Sequence, residues 1–270
     1  MKSNTSDKYK NLHLFDDQYF VQLIQRHILE YHAHFAERLI SIYVWGSVHR
    51  NEAIQGVSDL DLYSFIRGPL KKNDHQWCRE TQESLDREFP YTHGLTLPRS
   101  IDDVLQGRQP GANKDMRSRH QAFGFRLHYD ATLVWGNDLT EEFELPTFIP
   151  SWVRKYFHQS ALNLTRYAAG LEKENTTDFS LPNETRLRLR KLARLGVLGG
   201  ACLLMAQGRF RSLKGVDTIP MLKASYPQWT DFLDETRELY IHLVPSSNER
   251  VSRYLSQLVK WMDWIEEQLK

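Results

Sequence analysis

Two apolar, β-prone runs joined across a Gly-Ser step set what this chain can fold into. The first, Leu39 to Trp45, stops abruptly at Gly46-Ser47. The second, Leu60 to Ile66, is entered through Ser58-Asp59-Leu60-Asp61. Strand side chains alternate faces, so Asp59 and Asp61 point one way while Leu60 and Leu62 point into a core. Two carboxylates held side by side repel unless a cation lies between them. A hard cation with oxygen ligands, Mg2+, is the natural occupant. Gly46 lets backbone approach a ligand closely, and Ser47 offers a hydroxyl and an N–H at the start of a helical turn, a favourable place for phosphate. Arg50 is near enough in sequence to reach a phosphate, although a surface arginine reads equally well.

Composition narrows the class. The chain has 270 residues, 41% hydrophobic and 26% charged, which is ordinary for a globular protein with one large domain or two modest ones. A formal net charge of +1 gives no general affinity for nucleic acid or membrane. Neither a basic stripe nor an aromatic nucleic-acid platform is visible, so nucleic acid is not an expected partner. The two cysteines, Cys78 and Cys202, lie far apart and suit a reducing compartment. Arg194 and Arg209 bracket the longest apolar run, which is too short to span a membrane. With a polar start at Met1 to Lys10, the expected location is cytoplasmic.

Along the chain, residues 1 to about 15 read as a loosely docked arm. Apolar residues from Asp16 to Glu37 recur with the helical period, and Asp16 or Asp17 can cap that helix. After the two motif strands, Lys71 to Glu88 reads as a helix and Tyr91 to Leu97 as a third strand. Residues 107 to 114 read as a loop, Asp115 to Tyr129 as a helix and Ala131 to Trp135 as a fourth strand. Pro146 and Pro150 mark a boundary beyond which strand signals nearly vanish. Helices are expected over Ser151 to Glu174, Asn183 to Gln207, Val216 to Tyr226, Gln228 to Leu243 and Asn248 to Lys270, with Leu195 to Met205 as a buried central segment. The fold class is therefore α+β: a small mixed sheet with helices in residues 1–146, then an all-helical bundle in residues 150–270.

The motif of strand, Gly46-Ser47, connection and Ser58-Asp59-Leu60-Asp61 on a second strand resembles the signature of the polymerase-beta-like nucleotidyltransferase superfamily. The second half is similar to the helical domain of the aminoglycoside (spectinomycin and streptomycin) adenylyltransferases. That similarity lies in Leu192-Ala193-Arg194-Leu195, Ala206-Gln207-Gly208-Arg209, Leu213-Lys214 and Glu235 to Tyr240, together with Thr132 to Leu139 between the halves. The resemblance implies a transferase using ATP and Mg2+. Gly46, Ser47 and Arg50 would meet the nucleotide. Asp59 and Asp61 would hold the metal, and a hydroxyl of a small molecule such as an aminoglycoside would attack the α-phosphorus. Asp178 and Glu184 fall in the matching acceptor region, where the alternative is a solvated loop.

One departure stands out. Members of the family carry a third carboxylate on the strand equivalent to Tyr91 to Leu97, and here that stretch holds no Asp or Glu. By parity with Leu95 and Leu97, His93 faces the core and Gly94 takes the vacated place. If that parity fails, His93 is the base, since its ordinary pKa lies near neutrality; a hydrogen-bonded strand histidine is the alternative. Asp130 or Glu184 could substitute. The competing reading is a catalytically weakened nucleotide-binding or interaction module of the same fold.

Overall fold

The structure, a computed structural model, describes residues 9–90, 95–106, 116–143, 153–170, 184–212 and 214–270. The chain divides into two compact units, Met1–Pro146 and Thr147–Lys270.

The first unit is built on a four-stranded sheet. Its strands are β1 (Leu39–Trp45), β2 (Asp61–Ile66), β3 (Arg99–Ser100) and β4 (Ala131–Gly136), in the order β3-β2-β1-β4. β1 runs antiparallel to both β2 and β4, and β3 is parallel to β2. Both faces of the sheet are covered, which is why the motif strands read as nearly continuous apolar runs. On one face Ile42, Val44, Leu60, Leu62 and Ile66 pack against Phe20, Leu23, Ile24, Ile28 and Tyr31 of α1 (Gln18–Phe35) and Leu85 of α3 (Lys72–Glu88). On the other, Tyr43, Tyr63, Phe65 and Leu133 meet Ile101 and Val104 of the short α4 (Ile101–Leu105) and Leu127 of α5 (Met116–Tyr129). A one-turn helix, α2 (Gly46–His49), leaves the end of β1.

The α1 cap falls on Asp17, whose carboxylate accepts the Tyr19 N–H at 2.8 Å. The arm before it is docked from Tyr9 onward. Tyr9 bridges to Trp135, the Lys10 N–H reaches the Val134 carbonyl at 2.9 Å, and Phe15 is buried.

The third strand differs from expectation. Residues 91–94 lie outside the described residues, and 95–97 are not strand. Side chains satisfy their backbone in place of a ladder. The Leu95 N–H donates to Gln82 Oε1 at 2.8 Å and the Thr96 N–H to the Tyr31 hydroxyl at 3.2 Å. The pairing with β2 is made later, by Phe65 with Arg99 and Ile66 with Ser100.

The second unit is helical among its described residues. A π turn (Arg154–His158) leads into α6 (Gln159–Ala168), followed by α7 (Thr185–Ala206), α8 (Ile219–Ser225), α9 (Thr230–Ile241) and α10 (Asn248–Gln268). The helix expected over Ser151 to Glu174 ends at Ala168, ahead of Gly170 in the left-handed region at φ +71°. The second half of α7 is buried nearly all round, as its composition implies. Its glycines admit close neighbours: a Cβ on Gly199 would lie 2.7 Å from Met262 Sδ, and one on Gly200 2.4 Å from Leu222 Cδ1. Two polar pairs cross between helices inside the bundle, Trp261 Nε1 to the Gly196 carbonyl at 2.9 Å and Thr236 Oγ1 with the Tyr254 hydroxyl at 2.8 Å. No helix among the described residues is long and apolar enough to cross a membrane.

Two features of this packing generate measurable behaviour. His27 in α1 and His158 in the π turn are fully buried, and desolvation is the leading cause holding each pKa down to about 4. The unfolded chain takes up a proton near pH 6.5 that the folded histidine refuses until about pH 4. Stability contributed by neutral burial is thus complete above that upper value and is lost on acidification, by about 2 kcal/mol per histidine. Urea unfolding between pH 7 and 4.5 should show this loss, and His158→Leu should flatten its share.

Asp74 is the second feature. Its carboxylate, 1% exposed, accepts from the Lys71 N–H at 2.7 Å, His34 Nε2 at 2.9 Å and Arg38 Nη1 at 3.3 Å. Burial pushes its pKa up, but these donors outweigh burial and leave it below the usual carboxylate value. The stabilisation is therefore full above the ordinary carboxyl pKa and disappears as pH falls through the depressed one. Asp74→Asn should cost about 2 kcal/mol at pH 7, and the gap between variant and wild type should close in acid unfolding curves.

Candidate functional site

The two motif strands bring their chemistry to one end of the sheet. Trp45, the last residue of β1, pairs with Asp61 of β2 on one side and Ala131 of β4 on the other. The chain then turns out of the sheet at Gly46, in the left-handed region at φ +74°. A Cβ on Gly46 would lie 2.2 Å from Asp61 Oδ2. The glycine thus gives room to a carboxylate, a use of the missing side chain that the sequence reading assigned to a ligand. The turn is closed by the Arg50 N–H to the Gly46 carbonyl at 3.3 Å and the Glu52 N–H to the Ser47 carbonyl at 2.9 Å.

The connection that delivers Asp59 is also pinned. Buried Ser58 accepts the Ile54 N–H on its hydroxyl at 2.9 Å and donates its own N–H to the Ile54 carbonyl at 2.8 Å. Asp59 follows, exposed, and Asp61 is half-buried at the first position of β2, with Leu60 and Leu62 buried on the opposite parity. Gly46, Ser47, Asp59 and Asp61 are therefore neighbours at this end of the sheet. Two carboxylates beside a Gly-Ser turn form an oxygen donor set suited to a hard cation. Among the described residues no cluster of three or more His, Cys, Asp or Glu side chains is placed to hold a metal.

The other predicted residues do not gather at this end as one set. The Arg50 side chain is only 5% exposed and its Nε donates to Glu52 Oε2 at 2.8 Å, so part of its guanidinium is engaged inside the loop. Glu184 is exposed just before α7, ion-paired with Arg186 at 3.0 Å, a surface pairing of little energetic weight. His93 and Asp178, with Gly94, lie outside the described residues. Asp130, buried at 1% exposure, directly precedes β4 and so stands at the same sheet end as Gly46.

The structure adds a group that the sequence reading missed. Paired residues on antiparallel strands share a face, so Trp45 lies on the face of Asp61, and Tyr63, two residues on, does too. The Trp45 and Tyr63 rings stack at 4.9 Å with planes 2° apart. From α5, the Arg126 guanidinium sits 4.3 Å above the Trp45 ring and donates to the Tyr63 hydroxyl. From β3, Arg99 lies 4.8 Å from the Phe123 ring centre and 5.7 Å from that of Tyr63. The period-two parity of Asp61 and Tyr63 was visible in the sequence. The arginines come from distant segments, and no local pattern announces them.

Comparison with known proteins gives the fold. No family model and no curated protein matches the sequence. Among solved structures, the chain is similar to a spectinomycin adenyltransferase, AAD(9), from Enterococcus faecialis, solved with ATP and spectinomycin. The TM-score is 0.55 and the identity 16%, over 90% of this chain and 98% of that one. The chain has an α+β fold of the aminoglycoside adenylyltransferase type, a mixed sheet followed by a helical part.

Proposed function

We propose that this protein transfers AMP from ATP to a hydroxyl of a small molecule, with an aminoglycoside as the first acceptor class to test. The observation that carries the reading is the Asp61 carboxylate lying in the space left by the absent Gly46 side chain, with Asp59 two residues earlier. The fold it shares with an adenyltransferase solved with ATP and spectinomycin supports the same class of chemistry.

In this reading the triphosphate lies over Gly46 and Ser47, where backbone and hydroxyl donors meet its oxygens. Asp59 and Asp61 would hold Mg2+, an ion commonly bound by one or two carboxylates plus substrate phosphates. When bound, it neutralises phosphate charge. The acceptor oxygen attacks the α-phosphorus, a new P–O bond forms, the α–β bridging bond breaks and pyrophosphate leaves. His93 takes the proton released by the hydroxyl. Asp178 and Glu184 supply carboxylates for a cationic acceptor. Arg50 contributes positive charge near the turn while bonded to Glu52. Catalysis on this plan rests chiefly on positioning. The first unit acts as the nucleotidyltransferase domain and the second as the acceptor-side helical domain.

A second reading, a nucleotide-binding or interaction module with weakened chemistry, is favoured by one observation: the absence, among the described residues, of a third ligand-type side chain beside Asp59 and Asp61.

The decisive experiment is ATP with Mg2+ and a panel of aminoglycosides, following pyrophosphate release. ATP with Mg2+ should raise the melting temperature of the wild type. Ligand at a hundred times its Kd contributes about 2.7 kcal/mol. The double variant Asp59→Asn/Asp61→Asn should lose that shift, and Gly46→Ala should lose it as well by displacing the Asp61 carboxylate. An unchanged shift in both would overturn the metal assignment.

Proton transfer is tested separately. His93→Ala should lower AMP transfer roughly 10²–10⁴-fold while leaving the ATP-dependent melting shift in place. ATP binding without pyrophosphate release in the presence of any acceptor, in wild type and variant alike, would favour the binding module.

A further inference from the structure

A cavity of about 490 Å³ opens at the other end of the sheet, lined by residues that the transfer chemistry does not use. Its walls come from the start of β1 (Leu39, Ile40), the residue after β2 (Arg67), the end of β4 with Asn137, the last turn of α1 (His32), the short 3-10 turn that follows it (Ala36, Glu37) and the docked arm (Lys10). β1 is seven residues long, so at about 3.3 Å per residue this cavity lies roughly 17–20 Å from Gly46. Its volume falls within the range of small-molecule sites, about 300–1,000 Å³.

Several charged side chains of the first unit find partners, Arg26 with Glu30 and Glu88, Arg38 with Asp74, and Arg50 with Glu52. Among the described residues, the side chains of Lys10, His32, Glu37, Arg67 and Asn137 make no hydrogen bond or ion pair. Asp138 lies near Lys10 and shares its charge with it; its Oδ1 accepts from the Tyr43 hydroxyl at 3.0 Å and the Thr140 N–H at 2.9 Å. Two cations thus line the cavity with one lining carboxylate, Glu37, and Asp138 just outside the lining beside Lys10.

The backbone there is also unusual. Ala36, in the wall, has φ +45° and ψ −119°, a conformation that a residue with a Cβ seldom adopts. Across the cavity Gly136 has φ +84°, and a Cβ on it would lie 2.0 Å from the Ile40 carbonyl oxygen. Such conformations persist where surrounding structure imposes them, and they gather at ligand sites.

We infer that this cavity is a second ligand site, for a small molecule bearing a phosphate or carboxylate held between Lys10 and Arg67. Arg67 offers a planar fork of donors to the oxyanion and Lys10 a compact charge. Asn137 and the His32 ring add polar contacts. Glu37 sets a limit on negative charge and can accept from a hydroxyl or ammonium on the same molecule. The inference stands apart from the transfer reading, because it shares no residue with the Gly46–Asp61 end.

The test is amide NMR of the full chain, titrated with inorganic phosphate and separately with citrate at constant ionic strength. Saturable shifts should appear at Ala36, Arg67, Gly136 and Asn137. Lys10→Ala/Arg67→Ala, at exposed positions, should weaken binding at least tenfold without altering the melting temperature, and Glu37→Gln should strengthen it a few-fold. Saturation by one probe alone supports the site and identifies the head group. Shifts that do not saturate, that survive the double variant, or that centre on Gly46 and Ser47 would overturn it.

Discussion

The close approach of Gly46 to Asp61 is the constraint on which the rest of the first unit turns. β1 is one of the two inner strands, hydrogen-bonded on both edges, and its last rung fixes Asp61 and Ala131 on either side of Trp45. Only a residue without Cβ can then leave the sheet at φ +74° with a carboxylate oxygen 2.2 Å from where that Cβ would be. Any side chain at this position would force either the turn or the carboxylate to move. The geometry of the acid pair is thus set by the same hydrogen bonds that hold the sheet together.

That dependence explains how the surroundings are built. α1 and α3 cover one face of the sheet, so Leu60 and Leu62 are locked inward and Asp61 must take the other side. The loop before Asp59 is tied by Ser58 to Ile54, which leaves little slack between the turn and β2. On the Asp61 face, Trp45 and Tyr63 stack and Arg126 caps them, so a rigid aromatic layer carrying positive charge borders the two acids. Cation–aromatic contacts of this kind add about 0.5–2 kcal/mol each and, more usefully, fix side-chain positions.

The two ends of the sheet carry different groups. One has Asp59 and Asp61 beside a left-handed glycine, with Arg126 over Trp45. The other has Lys10, Arg67 and Glu37 around a cavity. The near-zero net charge of the chain says nothing of this placement, since composition sums over surfaces that the fold keeps apart.

The sequence by itself determined the α+β order of elements, the two motif strands and the acid parity, because alternation and helical period are local properties of the chain. β1 falls on Leu39–Trp45 as read, and β2 begins at Asp61 where Leu60 was expected. The apolar centre of α7 is buried for the same local reason. Tertiary structure decided what depends on partners far away in the chain. Leu95 to Leu97 are not strand, since Gln82 and Tyr31, on two helices, satisfy the backbone of Leu95 and Thr96, and the described pairing with β2 is made at Arg99–Ser100. The arm before Asp17 is docked because the edge of β4 offers a bridge at Trp135. Arg126 reaches Trp45, and Lys10 and Arg67 face a common cavity, only after the sheet has formed. Side chains separated by tens of residues leave no periodic trace in the sequence, and their meeting is fixed by strand order and register.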